Sequence, residues 1–328
     1  MRSIEIVGSG IALPKRVVKS SEIDKQLGYK SGQIEAISGV FSRYYATTES
    51  ATDLAIAAVF EAFSNTSVTL QDVECIIAAS GTMEQAIPCN AAKIHARLNL
   101  SNPIPAFDIN MTCLSALMAL DLAASMIMSG QYKVILIVSS DIASVGIDLK
   151  DRETVGLFGD GAAALVVTES SVPDKGILVS HFATYSEGIN YCQIQGGGSL
   201  NHPSKVNTDY KKYGIFEMQG KEIFRLTAKV IDDFIIKLFS GLPYSLNDID
   251  WVVPHQASAL AISHLQKRLK IPTDKIINIL NSRGNQIAAS LPSALHELII
   301  SGKASAGDKV LLIGTSAGLS IGGMILVL

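Results

Sequence analysis

Two segments of this 328-residue chain occur twice, with the same spacing between the copies. Residues 72–79 (DVECIIAA) resemble residues 248–255 (DIDWVVPH), and residues 133–138 (KVILIV) resemble residues 309–314 (KVLLIG). Positions 72 and 248 are 176 residues apart, and so are positions 133 and 309. Since the repeats that build solenoids are only about 20–50 residues long, a repeat of this length indicates a duplicated domain.

The repeated segments are short, apolar and rich in β-branched residues, as is typical of strands buried on both faces. Helix-like stretches lie between them at residues 90–98 and 114–129 in the first half, and at 257–269 and 290–301 in the second. This alternation predicts an α/β protein with mostly parallel sheets. We assign the first half to residues 1–172 and the second to residues 173–328. The glycine-containing residues 193–213 are interpreted as a connecting surface excursion.

The composition excludes several classes of protein. Hydrophobic residues make up 48% and charged residues 17% of the chain, which favours a large buried core or an oligomer interface. A net charge of −3 predicts no binding of nucleic acid or of anionic membranes. We find neither a signal peptide nor an apolar run long enough to span a membrane. The four cysteines have no metal-binding spacing, so reduced thiols, a cytoplasmic location and no metal site are predicted.

Cys113 lies where an apolar, strand-like run changes into a long helix-like run. A thiol at a helix N-terminus is stabilised as a thiolate by unpaired backbone N–H groups and by the helix dipole. We therefore expect its pKa to be lowered. The same N–H groups can stabilise an oxyanion.

The repeat predicts which residues surround Cys113. Functional groups of α/β units collect beyond the carboxyl ends of the strands, and His255 ends one of the repeated segments. Position 289, which is 176 residues after Cys113, falls in the segment that begins with Asn285. Cys113, His255 and Asn285 are therefore predicted to share one pocket. Such a set suits a cysteine hydrolase, in which histidine is the base, or a condensing enzyme.

Five motifs favour the condensing enzyme. In chain order they are residues 113–115 (CLS), 158–163 (FGDGAA), 254–257 (PHQA), 284–285 (GN) with 288–292 (AASLP), and 318–322 (GLSIG). Together with residues 8–10 (GSG) and Leu13-Pro14, they resemble β-ketoacyl-acyl-carrier-protein synthase III and its relatives in the thiolase-like superfamily. The resemblance extends over the whole chain. It implies a duplicated thiolase-like fold whose two βα halves have mixed, mainly parallel sheets in α-β-α-β-α layers.

The resemblance also implies a mechanism. Cys113 would take an acyl group from a thioester, and malonyl-acyl-carrier protein would then lose carbon dioxide and attack the acyl group. His255 and Asn285 would stabilise the enolate, and the backbone N–H groups of Cys113 and Ala317 would form the oxyanion hole. No cofactor is implied beyond the acyl-CoA or acyl-carrier-protein thioester substrate. The expected assembly is a homodimer.

Further residues match the substrate contacts of the family. Arg152 would contact CoA or phosphopantetheine, and Ile87 would line the acyl tunnel of the dimer partner. The docking surface for the acyl carrier protein would consist of Arg225, Lys267, Arg268 and Lys270. Gln33 and Ile37 stand where the family usually has the tryptophan and the arginine that bind CoA. Because these two contacts are missing, a carrier-protein thioester is kept as an acyl donor beside acyl-CoA.

Two alternatives are open at this point. One is an acyltransferase with the same fold that moves the acyl group to an alcohol or an amine. The other is a non-catalytic partner subunit of a condensing heterodimer. The complete set of Cys113, His255 and Asn285 favours a catalytic condensing enzyme over both.

Overall fold

Strands and helices alternate over parts of both halves, as the repeat predicts, but several strands also follow one another with no α-helix between them. The computed structural model describes residues 1–206 and 209–328, so residues 207 and 208 of the predicted excursion lie outside the described residues. The strands are β1 (Ile4–Ala12), β2 (Arg16–Lys19), β3 (Ser42–Tyr45), β4 (Cys75–Ala78), β5 (Ala106–Asp108), β6 (Val134–Asp141), β7 (Gly161–Glu169), β8 (Gly176–Thr184), β9 (Cys192–Ile194), β10 (Phe216–Met218), β11 (Trp251–Pro254), β12 (Lys309–Ser316) and β13 (Ser320–Val327).

The α-helices are α1 (Ser20–Leu27), α2 (Gln33–Ser38), α3 (Ala51–Phe63), α4 (Asn90–Leu98), α5 (Ser115–Met128), α6 (Gly220–Phe239), α7 (Ala259–Leu269), α8 (Leu280–Arg283) and α9 (Ser290–Ile300). The four predicted helical stretches correspond to α4, α5, α7 and α9, and each agrees to within two residues at both ends. Among the described residues, no helix combines the length and the hydrophobicity that crossing a bilayer requires.

Two sheets share one strand order. The first has the order β1-β7-β6-β4-β5, and the second has the matching order β8-β13-β12-β11. In each sheet the first two pairings are antiparallel, and the next one (β6 with β4, β12 with β11) is parallel. A parallel bridge between Val252 and Ile276 stands where β5 pairs with β4 in the first sheet. The predicted mixed sheets are confirmed, but their antiparallel pairings outnumber the parallel ones by four to three, so the sheets are not mainly parallel.

The strand register corrects the repeat by one residue. Ile76 of β4 is paired with Leu136 of β6, and in the second sheet Val252 of β11 is paired with Leu311 of β12. The β4 and β11 residues are 176 positions apart, whereas the β6 and β12 residues are 175 apart. Thr112 and Ile287, which both have a positive φ in equivalent turns, are also 175 positions apart, so the structural counterpart of Cys113 is position 288, not position 289.

The layers follow from the alternation of side chains along each strand. Ile77 of β4 faces a central core that also contains Leu120 of α5, Leu295 of α9 and Leu312 of β12. Its neighbour Ile76 faces an outer core with residues of α3 and α4. On the far side of the second sheet, α6 and α7 form the other outer core. The predicted α-β-α-β-α order is confirmed, and burial of each large aliphatic side chain stabilises it by about 1.5–3 kcal/mol.

The close contact between β1 and α3 requires glycine at position 10. A Cβ atom at Gly10 would lie 2.4 Å from both the Ala58 carbonyl oxygen and the Ala62 nitrogen. We expect Gly10→Ala to lower the free energy of unfolding by about 1–3 kcal/mol, because neither backbone atom can move without separating the helix from the strand. Urea denaturation measures this change. Gly198→Ala is the matched control, since a Cβ there meets nothing within 4 Å, and equal losses in both variants would contradict the prediction.

Candidate active site

One cavity of about 960 Å³ is lined by residues from both halves of the chain. Cys113 from the first half and His255 and Asn285 from the second all line it, as does Ala317 on the turn between β12 and β13. The three side chains that the sequence predicts to share a pocket are therefore brought together.

The backbone before Cys113 is strained and locally braced. Cys113 lies in a short 3-10 turn between β5 and α5, and Thr112 before it has a φ of +47°, which is uncommon for a residue other than glycine. The Asn110 side-chain oxygen accepts a hydrogen bond from the Thr112 N–H at 2.9 Å. The Ser115 hydroxyl accepts one from the Met111 N–H at 2.9 Å. These bonds hold a conformation that presents the half-buried Cys113 side chain to the cavity.

The loop that carries Asn285 repeats this arrangement. Ile287 has a φ of +53°, and its N–H donates to the Asn285 side-chain oxygen at 2.8 Å. The Ser290 hydroxyl accepts a hydrogen bond from the Gln286 N–H at 2.8 Å. The Asn285 amide nitrogen donates one proton to the Ala257 carbonyl at 3.2 Å. Because the amide oxygen is occupied, the second proton of this nitrogen is the one available to a ligand in the cavity.

His255 directly follows β11, and a backbone hydrogen bond fixes its position. Its N–H donates to the Ile313 carbonyl at 2.8 Å. A Cβ atom at Gly314 would lie 2.6 Å from the His255 Cβ, so the imidazole packs directly on this glycine. Burial lowers the pKa of His255 to about 4. The ring is therefore neutral at physiological pH and has one N–H to donate.

The lowered pKa of His255 predicts how stability changes with pH. Below pH 6.5 the unfolded chain binds a proton at His255, whereas the folded chain does not until about pH 4. The free energy of unfolding should therefore fall as the pH falls through this range, by on the order of 3 kcal/mol from this group. Urea titrations at pH 7.5 and pH 4.5 should show a smaller decrease for His255→Asn than for the wild type. An equal decrease in both proteins would contradict the assignment.

The expected thiolate at Cys113 is not observed. Burial raises the pKa of the Cys113 thiol, and Cys192 and Asp141 act in the same direction. The prediction of a lowered pKa is wrong, because desolvation outweighs the stabilising backbone N–H. Cys113 is therefore a thiol in the free protein.

The sequence analysis did not identify two further residues near Cys113, a cysteine and an aspartate. Cys192 lines the same cavity, and burial raises its pKa to about 12. Asp141 is completely buried at the end of β6. The signal that could have identified Asp141 is a polar residue at the carboxyl end of a buried, partly parallel strand.

The four predicted docking residues divide into two pairs. Arg225 and Arg268 line the cavity, but each also has an acidic partner. Arg225 donates to Glu222 at 2.6 Å, and Arg268 donates two bonds to Asp232 at 2.9 and 2.7 Å. The other two are exposed and lie outside the cavity: Lys267 in the last turn of α7, and Lys270 directly after this helix.

The predicted substrate contacts lie apart from the catalytic residues. Arg152 stacks on the Tyr29 ring at 5.0 Å and donates to its hydroxyl at 3.1 Å, outside the cavity. Ile37 of α2 lines the cavity and is 47% exposed, whereas Gln33 at the start of α2 does not line it. Ile87 is 86% exposed and lies outside the cavity of its own chain.

Comparison with known proteins reveals extensive similarity. Residues 107–186 match 3-oxoacyl-[acyl-carrier-protein] synthase III, residues 242–328 match the C-terminal domain of the same family, and residues 34–142 match the thiolase N-terminal domain. The β-ketoacyl-[acyl-carrier-protein] synthase III of Syntrophomonas wolfei is 33% identical over 324 residues, which cover 98% of this chain and 97% of that protein.

Solved structures agree with these matches. The 3-oxoacyl-[acyl-carrier-protein] synthase III of Aquifex aeolicus has a TM-score of 0.88 at 29% identity, covering 99% of this chain and all of that one. The priming β-ketosynthase from the R1128 polyketide pathway has a TM-score of 0.89 at 27% identity, covering 100% of this chain and 96% of that one.

The duplicated fold and a cavity that joins a cysteine, a histidine and an asparagine define a condensing enzyme of the thiolase-like class, which is a class of acyltransferases. Within this class, the chain belongs to the 3-oxoacyl-[acyl-carrier-protein] synthase III family. The resemblance inferred from the sequence motifs and the predicted thiolase-like fold are thereby confirmed.

Proposed function

We propose that this chain joins an acyl group to malonyl-acyl-carrier protein by decarboxylative Claisen condensation and so forms a β-ketoacyl thioester. The observation that carries the proposal is the shared cavity, which the Cys113 thiol lines together with two neutral hydrogen-bond donors. The donors are the His255 imidazole and the Asn285 amide nitrogen. Neutral donors suit an enolate, because its charge develops only in the transition state.

In the first step Cys113 is acylated. Its sulfur attacks the carbonyl carbon of the incoming thioester, the carbon–sulfur bond of the donor breaks, and the thiol proton of Cys113 passes to the leaving sulfur. The backbone N–H groups of Cys113 and Ala317 would bind the carbonyl oxygen as it becomes negative. Burial raises the pKa of the Cys113 thiol, which supports proton transfer during the attack.

In the second step the malonyl thioester loses carbon dioxide. The electron pair of the broken carbon–carbon bond enters an enolate, whose oxygen accepts hydrogen bonds from His255 and Asn285. The enolate carbon attacks the acyl carbonyl on Cys113, the carbon–sulfur bond to Cys113 breaks, and the departing thiolate takes a proton from water. Apart from this proton, the named residues supply the groups that the two steps need, so we propose that no cofactor takes part.

The surroundings of the cavity bear on the acyl donor. Arg152 is engaged with Tyr29, and the apolar Ile37 and the acidic Glu153 lie at the cavity lining. These features disfavour the anionic nucleotide of CoA, which supports a carrier-protein thioester as donor. Docking of an acidic carrier protein would use the cluster of Arg225, Lys267, Arg268 and Lys270, with the first and third exchanging their present carboxylate partners.

Homodimer formation is also proposed. Three large apolar side chains are strongly exposed on the first half: Met83 at 56%, Ile87 at 86% and Val145 at 82%. A dimer that covers them would let Ile87 reach the acyl tunnel of its partner. All four cysteines are free, which supports a reducing compartment, the cytoplasm.

Intact-mass measurement after incubation with acyl-CoA and acyl-carrier-protein thioesters tests the first step and identifies the donor. Adding malonyl-acyl-carrier protein to the acylated enzyme then tests the second step through released carbon dioxide and product mass. We expect both signals. Acylation without decarboxylation would favour transfer to an alcohol or amine, whereas absence of acylation from every donor would favour a non-catalytic partner subunit.

A further inference from the structure

A buried carboxylate connects the loops that carry the catalytic residues. The Asp141 Oδ1 atom accepts hydrogen bonds from the Gly81 N–H at 2.9 Å, the Thr82 N–H at 2.7 Å and the Thr82 hydroxyl at 2.7 Å. Its Oδ2 atom accepts one from the Ala289 N–H at 3.3 Å. Gly81 and Thr82 belong to the first half, and Ala289 belongs to the Asn285 loop of the second half. One side chain therefore joins the two halves beside Cys113.

Gly81, which is bonded to Asp141, packs against both catalytic-loop residues with a positive φ, Thr112 and Ile287. A Cβ atom on Gly81 would lie 2.4 Å from the Ile287 Cγ2 and 3.4 Å from the Thr112 carbonyl carbon. Gly81 is thus packed between the residue before Cys113 and the residue two positions after Asn285. Its N–H donates to Asp141, so displacement of the carboxylate would disturb the packing of both catalytic loops.

The carboxylate is kept at an energetic cost. Asp141 is 0% exposed, and among the described residues it forms no ion pair. Burial raises its pKa to about 6 although four donors stabilise the charge. An acid that only filled space in a core would be replaced at little loss by an apolar residue.

We propose that Asp141 is a positioning residue that holds the Asn285 loop in register with the Cys113 loop, and that it acts mainly on the condensation step. The expected effect on the condensation rate rests on the proposed function. Asp141 does not touch substrate; it acts through Ala289 and Gly81. Small displacements of an aligned group are costly, since an error near 1 Å slows a reaction by about 100-fold.

Asp141→Asn cuts this connection on one side only. The asparagine oxygen can still accept the three hydrogen bonds from Gly81 and Thr82. Its amide nitrogen then faces the Ala289 N–H, so that two donors oppose each other and the bond to the Asn285 loop is lost. Ser140→Ala is the matched control, because it removes a buried hydrogen bond of the neighbouring residue, from the Ser140 hydroxyl to the Ala51 carbonyl, and leaves every bond of Asp141 in place.

The experiment measures the two steps separately in both variants. We expect Asp141→Asn to be acylated within about 3-fold of the wild-type rate but to condense the preformed acyl-enzyme about 10–100-fold more slowly. Ser140→Ala should remain within about 3-fold in both steps. Hydrogen exchange provides a readout that does not depend on activity: in Asp141→Asn, amides 286–290 should exchange faster while amides 80–83 stay protected.

Two results would overturn the inference. One is an Asp141→Asn variant that condenses at the wild-type rate with unchanged exchange at amides 286–290. The other is an equal loss of both steps together with a parallel fall in thermal stability, which marks a purely structural role. If the wild type itself is not acylated, the proposed function fails, and the exchange measurement alone decides whether Asp141 connects the loops.

Discussion

Replacing Cys113 by alanine is expected to abolish acyl-enzyme formation and to lower condensation by on the order of 10³-fold or more. The reason is chemical, since no other group in the catalytic loop can form the thioester. The fold should be unaffected, because alanine fits the half-buried position and the bonds that brace the loop come from Asn110 and Ser115. Intact-mass measurement after incubation with acyl thioesters shows whether the label is lost.

Cys192→Ala is the control for this result, because the cavity contains a second thiol. We expect the Cys192 variant to accept the acyl group as the wild type does. If Cys113→Ala still gained the mass of one acyl group and Cys192→Ala did not, the nucleophile would be Cys192 and the assignment of Cys113 would have to be abandoned.

Replacing His255 by alanine is expected to slow condensation by about 10²–10³-fold while acylation of Cys113 continues. His255 is neutral, and the mechanism uses it as a donor to the enolate, which forms only in the second step. Asn285→Ala should show the same division between the steps. Carbon dioxide release from malonyl-acyl-carrier protein, measured on enzyme that is already acylated, isolates the affected step.

The double variant sharpens this prediction. If His255 and Asn285 bind the same oxygen, their effects should be strongly non-additive, with the double variant little slower than the worse single variant. A variant of His255 that failed to become acylated would instead indicate that the imidazole serves as the base for the Cys113 thiol. That result would contradict the division of roles proposed above.

Much of the fold was predictable, because its signals are local or repeated. Apolar runs marked β4, β6, β11 and β12, and the shared offset indicated two halves of the same topology. The same offset also led to the correct pocket, since loops at equivalent positions meet where the halves pack. The motifs around Cys113, His255 and Asn285 then identified the family.

The remaining features depend on contacts that no local pattern contains. The offset between the halves changes by one residue between β4 and β6, as the pairing of Ile76 with Leu136 and of Val252 with Leu311 shows. The raised pKa of Cys113 arises from burial by both halves, which the helix N-terminus argument left out.

The contact partners of individual side chains could not be predicted from the sequence either. The stacking of Arg152 on Tyr29 joins residues 123 positions apart. The hydrogen-bond partners of Asp141 likewise come from two separate loops. In the sequence, this residue is therefore indistinguishable from any polar residue at the end of a strand.

The two strained loops have a consequence for how such a site can arise. Asn110 and Asn285 use the same side-chain oxygen to hold the same kind of turn, and Ser115 and Ser290 brace both copies in the same way. What differs is the side chain that each copy contributes to the reaction: a thiol from one, an amide from the other. Duplication of one turn is thus sufficient to supply two different reactive groups, and the cavity that contains them is formed by both copies.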